Sequence, residues 1–277
     1  MASKASSMNR ALRSLRPRLP APTPAPWAWA AAGVLLGGSL AVVLFAPAHW
    51  LAWGLAHISA QRLQLQQVRG SVWEGSAQLV LAGGAASRDH ARLPGRLQWR
   101  LRPQWNGLQA ELQASCCTPA PLLLQVKLQN AGLLLSVANG SSHWPTSLLA
   151  GLGTPWNTVQ LQGQLALNTQ SLQAHWSAGR WRIHGQAQLD ALELSSRLST
   201  LRPLGSYRFT LAGGDTPSLQ VRTLQGELQL GGSGQWVGQR LRFSGQASAS
   251  LGHEAALSNL LNLLGRRRGA TALITLG

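Results

Sequence analysis

A chain of 277 residues, 45% of them hydrophobic, is long enough for one large domain or two small ones with a real core. Its net charge of +16 raises nucleic acid as a partner. However, Lys4, Arg10, Arg13, Arg16 and Arg18 crowd the first twenty residues, and the other cations are spread singly except for the run Arg266, Arg267, Arg268. A nucleic-acid surface gathers its cations on one element beside stacking aromatics, so this distribution argues against one.

Residues 5–26 are rich in Ser, Ala and Arg, with Pro17, Pro20, Pro22, Pro24 and Pro26 closely spaced, a composition that builds neither a helix nor a core. Trp27 to Phe45 carries no charge, and at about 1.5 Å per residue its length spans roughly 28 Å, close to the hydrocarbon thickness. Trp27 and Trp29 mark one border, and Trp50 and Trp53 the other, as an aromatic belt would. The nearby cations all precede the segment, which by the positive-inside rule leaves the tail in the cytoplasm and the bulk of the chain outside. A competing reading is a signal peptide cleaved after Ala48, since Ala46-Pro47-Ala48 has the small-x-small form. Either way the main domain is exported. The expected organisation is a disordered cytoplasmic tail over 1–26, a transmembrane helix over 27–46, a juxtamembrane helix or linker over 47–63, and a periplasmic β-rich domain over 64–277. The linker is expected to hold a short helix from Trp50 to Leu63.

Beyond Gln61 the hydrophobic period is two. Leu97, Trp99 and Leu101 lead through Pro103-Gln104-Trp105-Asn106-Gly107 to Leu108, Ala110, Leu112 and Ala114, a good hairpin signal. Leu161 to Leu167 is expected to turn at Asn168-Thr169 into Leu172, Ala174 and Trp176, then at Ser177-Ala178-Gly179 into Trp181 to Leu189. Leu224 to Leu230 is expected to turn at Gly231 to Gly234 and return through Leu241, Phe243, Gly245 and Ala247. These runs predict a mainly β protein: a curved antiparallel meander with one apolar face, forming an open barrel or groove. Leu257, Leu260, Leu261 and Leu264 follow helical spacing, Gly265 ends that helix, and the three arginines suit its C-terminal dipole. Ala272 to Leu276 reads as a last strand.

Chemistry is sparse. Cys116 and Cys117 are the only cysteines; across one trans peptide their Cα atoms are about 3.8 Å apart, below the usual disulfide range. They read as a possible thiol pair, or as two small residues at a strand end. The histidines lack metal-ligand spacing, the eight acids form no obvious pair, and neither Gly-x-Ser-x-Gly nor Gly-x-Gly-x-x-Gly occurs. We therefore expect no enzyme, no metal and no cofactor. The segment Ser141 to Asn157 reads as a loop outside the alternating strands, and Trp144, Pro145, Trp156 and Asn157 are its candidate partner contacts; plugging one end of the core is the other role open to the two tryptophans.

Four ordered segments carry a resemblance. They are Arg69-Gly-Ser-Val-Trp-Glu-Gly-Ser-Ala77, Leu93-Pro-Gly-Arg-Leu-Gln-Trp99, Leu148-Leu-Ala-Gly-Leu-Gly-Thr-Pro-Trp-Asn-Thr158 and Leu260-Leu-Asn-Leu-Leu-Gly-Arg-Arg267. Together they resemble the type II secretion system protein N family over about residues 27–277. The resemblance implies a non-catalytic inner-membrane component of a Gram-negative machine that exports folded periplasmic proteins. Its implied partners are other inner-membrane secretion-platform proteins, and it brings no active site. The strand patterning from Leu224 to Ala247 also resembles AsmA-like envelope proteins, which implies an alternative in which an apolar β groove binds or conducts lipid.

Overall fold

A computed structural model of the chain describes residues 27–129, 132–177, 179–238 and 240–277. The basic tail and Ala178 of the expected turn lie outside them. The chain divides into two units, Met1–Leu44 and Phe45–Gly277. In the first, helix α1 runs over Trp27–Leu44 with no buried residue, and it is the one described helix long and apolar enough to cross a membrane.

The second unit opens with helix α2 (Ala48–Ile58). It ends five residues before the expected Leu63, because Ala60 and Gln61 take positive φ and the Ser59 hydroxyl accepts the Leu63 N–H, which diverts the backbone from the helix. Sixteen strands follow among the described residues. They are β1 (Leu63–Gly70), β2 (Glu74–Ala82), β3 (His90–Arg92), β4 (Leu97–Gln104), β5 (Gly107–Ala114), β6 (Leu122–Gln129), β7 (Gly132–Val137) and β8 (Gly140–Pro145). Next come a 3-10 turn (Thr146–Leu152), helix α3 (Trp156–Val159), β9 (Gln162–Ser177), β10 (Arg180–Ser195), β11 (Gly205–Gly214), β12 (Ser218–Gly226), β13 (Leu228–Val237) and β14 (Arg240–Ala249). Helix α4 (Glu254–Leu264), β15 (Arg266–Arg268) and β16 (Thr271–Leu276) close the order. The strands form one open antiparallel sheet that runs in chain order to β14 and then through β16 to β15, with β1 and β15 at its edges, while β3 pairs with β2 and β8 with β9 off that path.

The expected hairpin of Leu97 to Ala114 is present, with Gln104 facing Gly107 across the two-residue turn Trp105-Asn106. Two other expected turns lie inside strands. Asn168 and Thr169 lie inside the long strand β9, because β8 and β7 pair in succession along one side of it. At the junction the Thr169 hydroxyl donates to Ala138 O (2.8 Å), and the Ser171 N–H donates to Asn139 Oδ1 (2.6 Å). Gly231 to Gly234 lie inside β13, where Gly232 leaves room for Phe243: a Cβ there would stand 2.5 Å from the ring. Gly265 caps α4 as expected, and Arg266 to Arg268 follow it as a short strand paired with β16.

Register traces one apolar face across the sheet. Leu112 faces Leu122, Leu124 faces Val137, Leu135 faces Ala174, Trp176 faces Trp181, Leu189 faces Phe209, Leu230 faces Ala247, and Ala247 faces Ala272. The face is buried only where other elements cover it. Helix α2 packs Ala48 and Leu51 on Ala77 and Trp99. The 3-10 turn packs Leu148 on Leu93, Ala114 and Cys117. Helix α4 packs Leu257, Leu260 and Leu261 on Ala191, Tyr207, Leu228, Ala247 and Ala272, each buried leucine being worth about 2 kcal/mol. Away from these covers, Leu133, Leu135, Trp176, Ile183, Trp236 and Phe243 remain half-buried.

Candidate functional site

The segment 141–157 was expected to be a loop. Instead its first part is strand β8, which pairs Trp144 with Leu165 and Pro145 with Gln164. The alternation Ser142-Trp144 was its sequence signal, hidden by shortness. Trp144 packs against the cluster of Leu93, Ala114, Cys117 and Leu148, and its indole N–H donates to the buried Ser142 Oγ (2.9 Å). Behind it the Thr146 hydroxyl lies 3.1 Å from both Leu161 O and Gly163 O, tying the start of the 3-10 turn to β9.

The distinctive run Leu148 to Thr158 is a close-fitting cover. A Cβ on Gly151 would meet Leu81 O at 2.3 Å and Ala91 N at 2.6 Å, so the turn lies directly on the β2–β3 backbone. Asn157 extends the seal: its side-chain N–H donates to Asp89 Oδ2 (2.9 Å), and the Ser87 hydroxyl receives the Asp89 N–H (3.1 Å). Trp156 keeps 38% of its surface exposed at the start of α3. Of the four candidate contacts, Trp144 thus serves the core, Asn157 holds the Asp89 loop, and Trp156 faces solvent.

Cys116 and Cys117 follow β5 and are joined by a disulfide, with Cα atoms 3.7 Å apart. A vicinal bridge is formed despite the short spacing that argued against one. Cys117 is buried, its carbonyl accepts the His143 N–H (2.7 Å), and Cys116 is exposed. The structure brings this pair together with Trp144 and Pro145 in one cleft of about 530 Å³, lined also by Pro94, Thr118, His143 and Gln164. The sequence reading held these two sets apart, because only the β8–β9 pairing joins them. Trp156 and Asn157 do not line that cleft.

Among the described residues no three His, Cys, Asp or Glu side chains gather as a metal site. His175 and His184 approach edge-on at 6.2 Å between ring centres. The most buried charge is Asp190, gripped by Arg208 through two bonds of 2.7 Å from Nε and a terminal guanidinium nitrogen, which hold its carboxyl below the usual range. The Tyr207 hydroxyl donates to Leu228 O (2.9 Å), and burial pushes its pKa up. Both groups are bonded as structural braces on adjoining strands.

No curated protein and no solved structure matches the chain. The model of one family, that of protein N of the type II secretion system, matches residues 61–273, which is nearly all of the strand-rich unit. The chain belongs to that family and is a component of the type II secretion system.

Proposed function

We propose that the protein is a non-catalytic scaffold or assembly subunit of the inner membrane, serving the export of folded periplasmic proteins across the outer membrane. The observation that carries this reading is the family match over residues 61–273. The charge-free α1 supports a single-span anchor, and the excess of Lys and Arg before it supports a cytoplasmic N-terminus with the sheet in the periplasm. The open strands β1 and β15 offer unpaired backbone to which a platform protein can add a strand. Trp156, next to the Asn157–Asp89 seal, is the solvent-facing member of the proposed contact set, and Trp144 and Pro145 line the cleft beside the cysteine pair.

Crosslinking of the full-length protein in intact cells, with mass spectrometry of its partners and its mature mass, tests this. Recovery of other platform proteins with Met1 or Ala2 at the N-terminus supports the scaffold and the anchor. A mature chain beginning at His49 removes the anchor, and absence of every secretion protein removes the scaffold. One observation favours a second reading, the lipid groove: the apolar face is half-open at Leu133, Trp176, Ile183 and Trp236 instead of closed as a core. Recovery of phospholipid-handling factors in the same experiment would favour it.

A further inference from the structure

In an antiparallel meander every second turn falls on the same end of the sheet. Here the turns β4–β5, β6–β7, β9–β10, β11–β12 and β13–β14 share one end, and β16 finishes there at Leu276 opposite Phe243. The pairings Gly107–Lys127, Gly132–Ser177, Ile183–Gly214 and Ser218–Gln235 keep the tips within about three residues of one another along the strands, roughly 10 Å.

This end is apolar and basic at once. Trp105 is fully exposed, and Leu128, Trp181, Val237 and Leu276 are 67%, 50%, 53% and 57% exposed. Between them stand Arg102, Lys127, Arg180, Arg182, Arg240 and Arg242, none of them ion-paired among the described residues, against Asp215, the one acid of these turns. Glu74, the other acid nearby, is already bound to Arg100. The opposite end also exposes Ile58 and Leu251, but it mixes Asp89, Glu193, Glu227 and Glu254 with its arginines. Tryptophan and leucine interleaved with Arg and Lys are the chemistry of an anionic bilayer surface, where the rings enter the headgroup layer and the cations meet phosphate.

The chain also enters the second unit at this end. Pro47 bridges Ser71 and Ala46 O accepts the Val72 N–H, while Trp73 O accepts the N–H of Leu101, three residues before the β4 tip. From Leu44, the last residue of α1, to Pro47 is a span of roughly 10 Å at full extension. We infer that the hairpin end of the sheet docks on an anionic phospholipid surface, Trp105, Trp181 and Leu276 entering the headgroup layer and the six cations binding phosphates. The tether argument rests on the membrane anchor proposed above; the patch itself does not.

The test is hydrogen exchange of the full chain in nanodiscs of phosphatidylglycerol and of phosphatidylcholine. Amides of 102–108, 179–183 and 235–242 should exchange about tenfold more slowly in phosphatidylglycerol, while those of 84–92 and 196–203 stay unchanged. High salt should erase the difference, as should the combined exposed changes Arg180→Glu, Arg182→Glu, Arg240→Glu and Arg242→Glu. Equal exchange in both lipids with the chain inserted overturns the docking and spares the anchor. A chain that fails to insert, yet is protected at the tips by added phosphatidylglycerol vesicles, overturns the anchor and spares the docking. Protection that depends on protein concentration and not on lipid assigns the edge to a second copy and also overturns it.

Discussion

The cover formed by Leu148 to Asn157 depends on Gly151 lacking a side chain, and Gly151→Ala measures how closely it fits. The added Cβ would stand 2.3 Å from Leu81 O and 2.6 Å from Ala91 N, both backbone atoms that no rotamer change can move. Ordinary contact begins near 3.4 Å, so the turn must lift by about 1 Å. A lift of that size opens Leu148 from Leu93 and Ala114 and forfeits roughly a quarter to a half of each dispersion contact. With the usual cost of overpacking, we expect a loss of about 2–3 kcal/mol, slightly offset by the stiffer unfolded chain. Gly140→Ala is the control: its Cβ would meet only Leu122 Cδ2 at 3.9 Å, and the change should stay within about 0.5 kcal/mol. Urea unfolding of the full chain in detergent, followed by tryptophan fluorescence, gives both values, and hydrogen exchange at Ala91 and Leu93 localises the effect. If Gly151→Ala and Gly140→Ala unfold at the same urea concentration, the account of the cover as a tight backbone-to-backbone seal is wrong.

Three further outcomes follow from the structure. Leu261→Ala in α4, fully buried against Ala247 and Ala272, should cost about 2–5 kcal/mol, readable as a lower Tm; an unchanged Tm would mean that α4 does not close this part of the sheet. Because Arg208 lowers the pKa of Asp190 in the folded state, the pair stabilises above the ordinary Asp value of about 3.9, and its contribution is lost as pH falls through the lowered value. Asp190→Asn should therefore cost about 1–3 kcal/mol at pH 7 and flatten the acid limb of the stability curve; a parallel limb in both proteins would contradict the pairing. Finally, iodoacetamide should leave the mass of the unreduced unfolded chain unchanged and add two groups only after reduction, and labelling without reductant would show Cys116 and Cys117 as free thiols.

Period-two alternation was enough to read the fold class and the Leu97 to Ala114 hairpin, and helical spacing was enough to read the α4 stripe, because each is a local pattern whose buried face repeats within a few residues. The charge-free run from Trp27 likewise declares its helix by composition alone. The misplaced turns failed for the opposite reason. Asn168-Thr169 and the glycines of β13 carry turn chemistry, yet they are held straight by neighbours far off in sequence: β7 and β8 along β9, and Phe243 against Gly232. Trp144 and the Cys116–Cys117 pair share a cleft only because β8 pairs with β9 and the Cys117 carbonyl binds the His143 N–H, contacts that no spacing encodes. The basic, aromatic end of the sheet was equally invisible, since its residues fall in small groups far apart along the chain until the meander stacks their turns together. What is periodic along the chain could be read from it; what depends on which strands become neighbours was decided by the folded sheet.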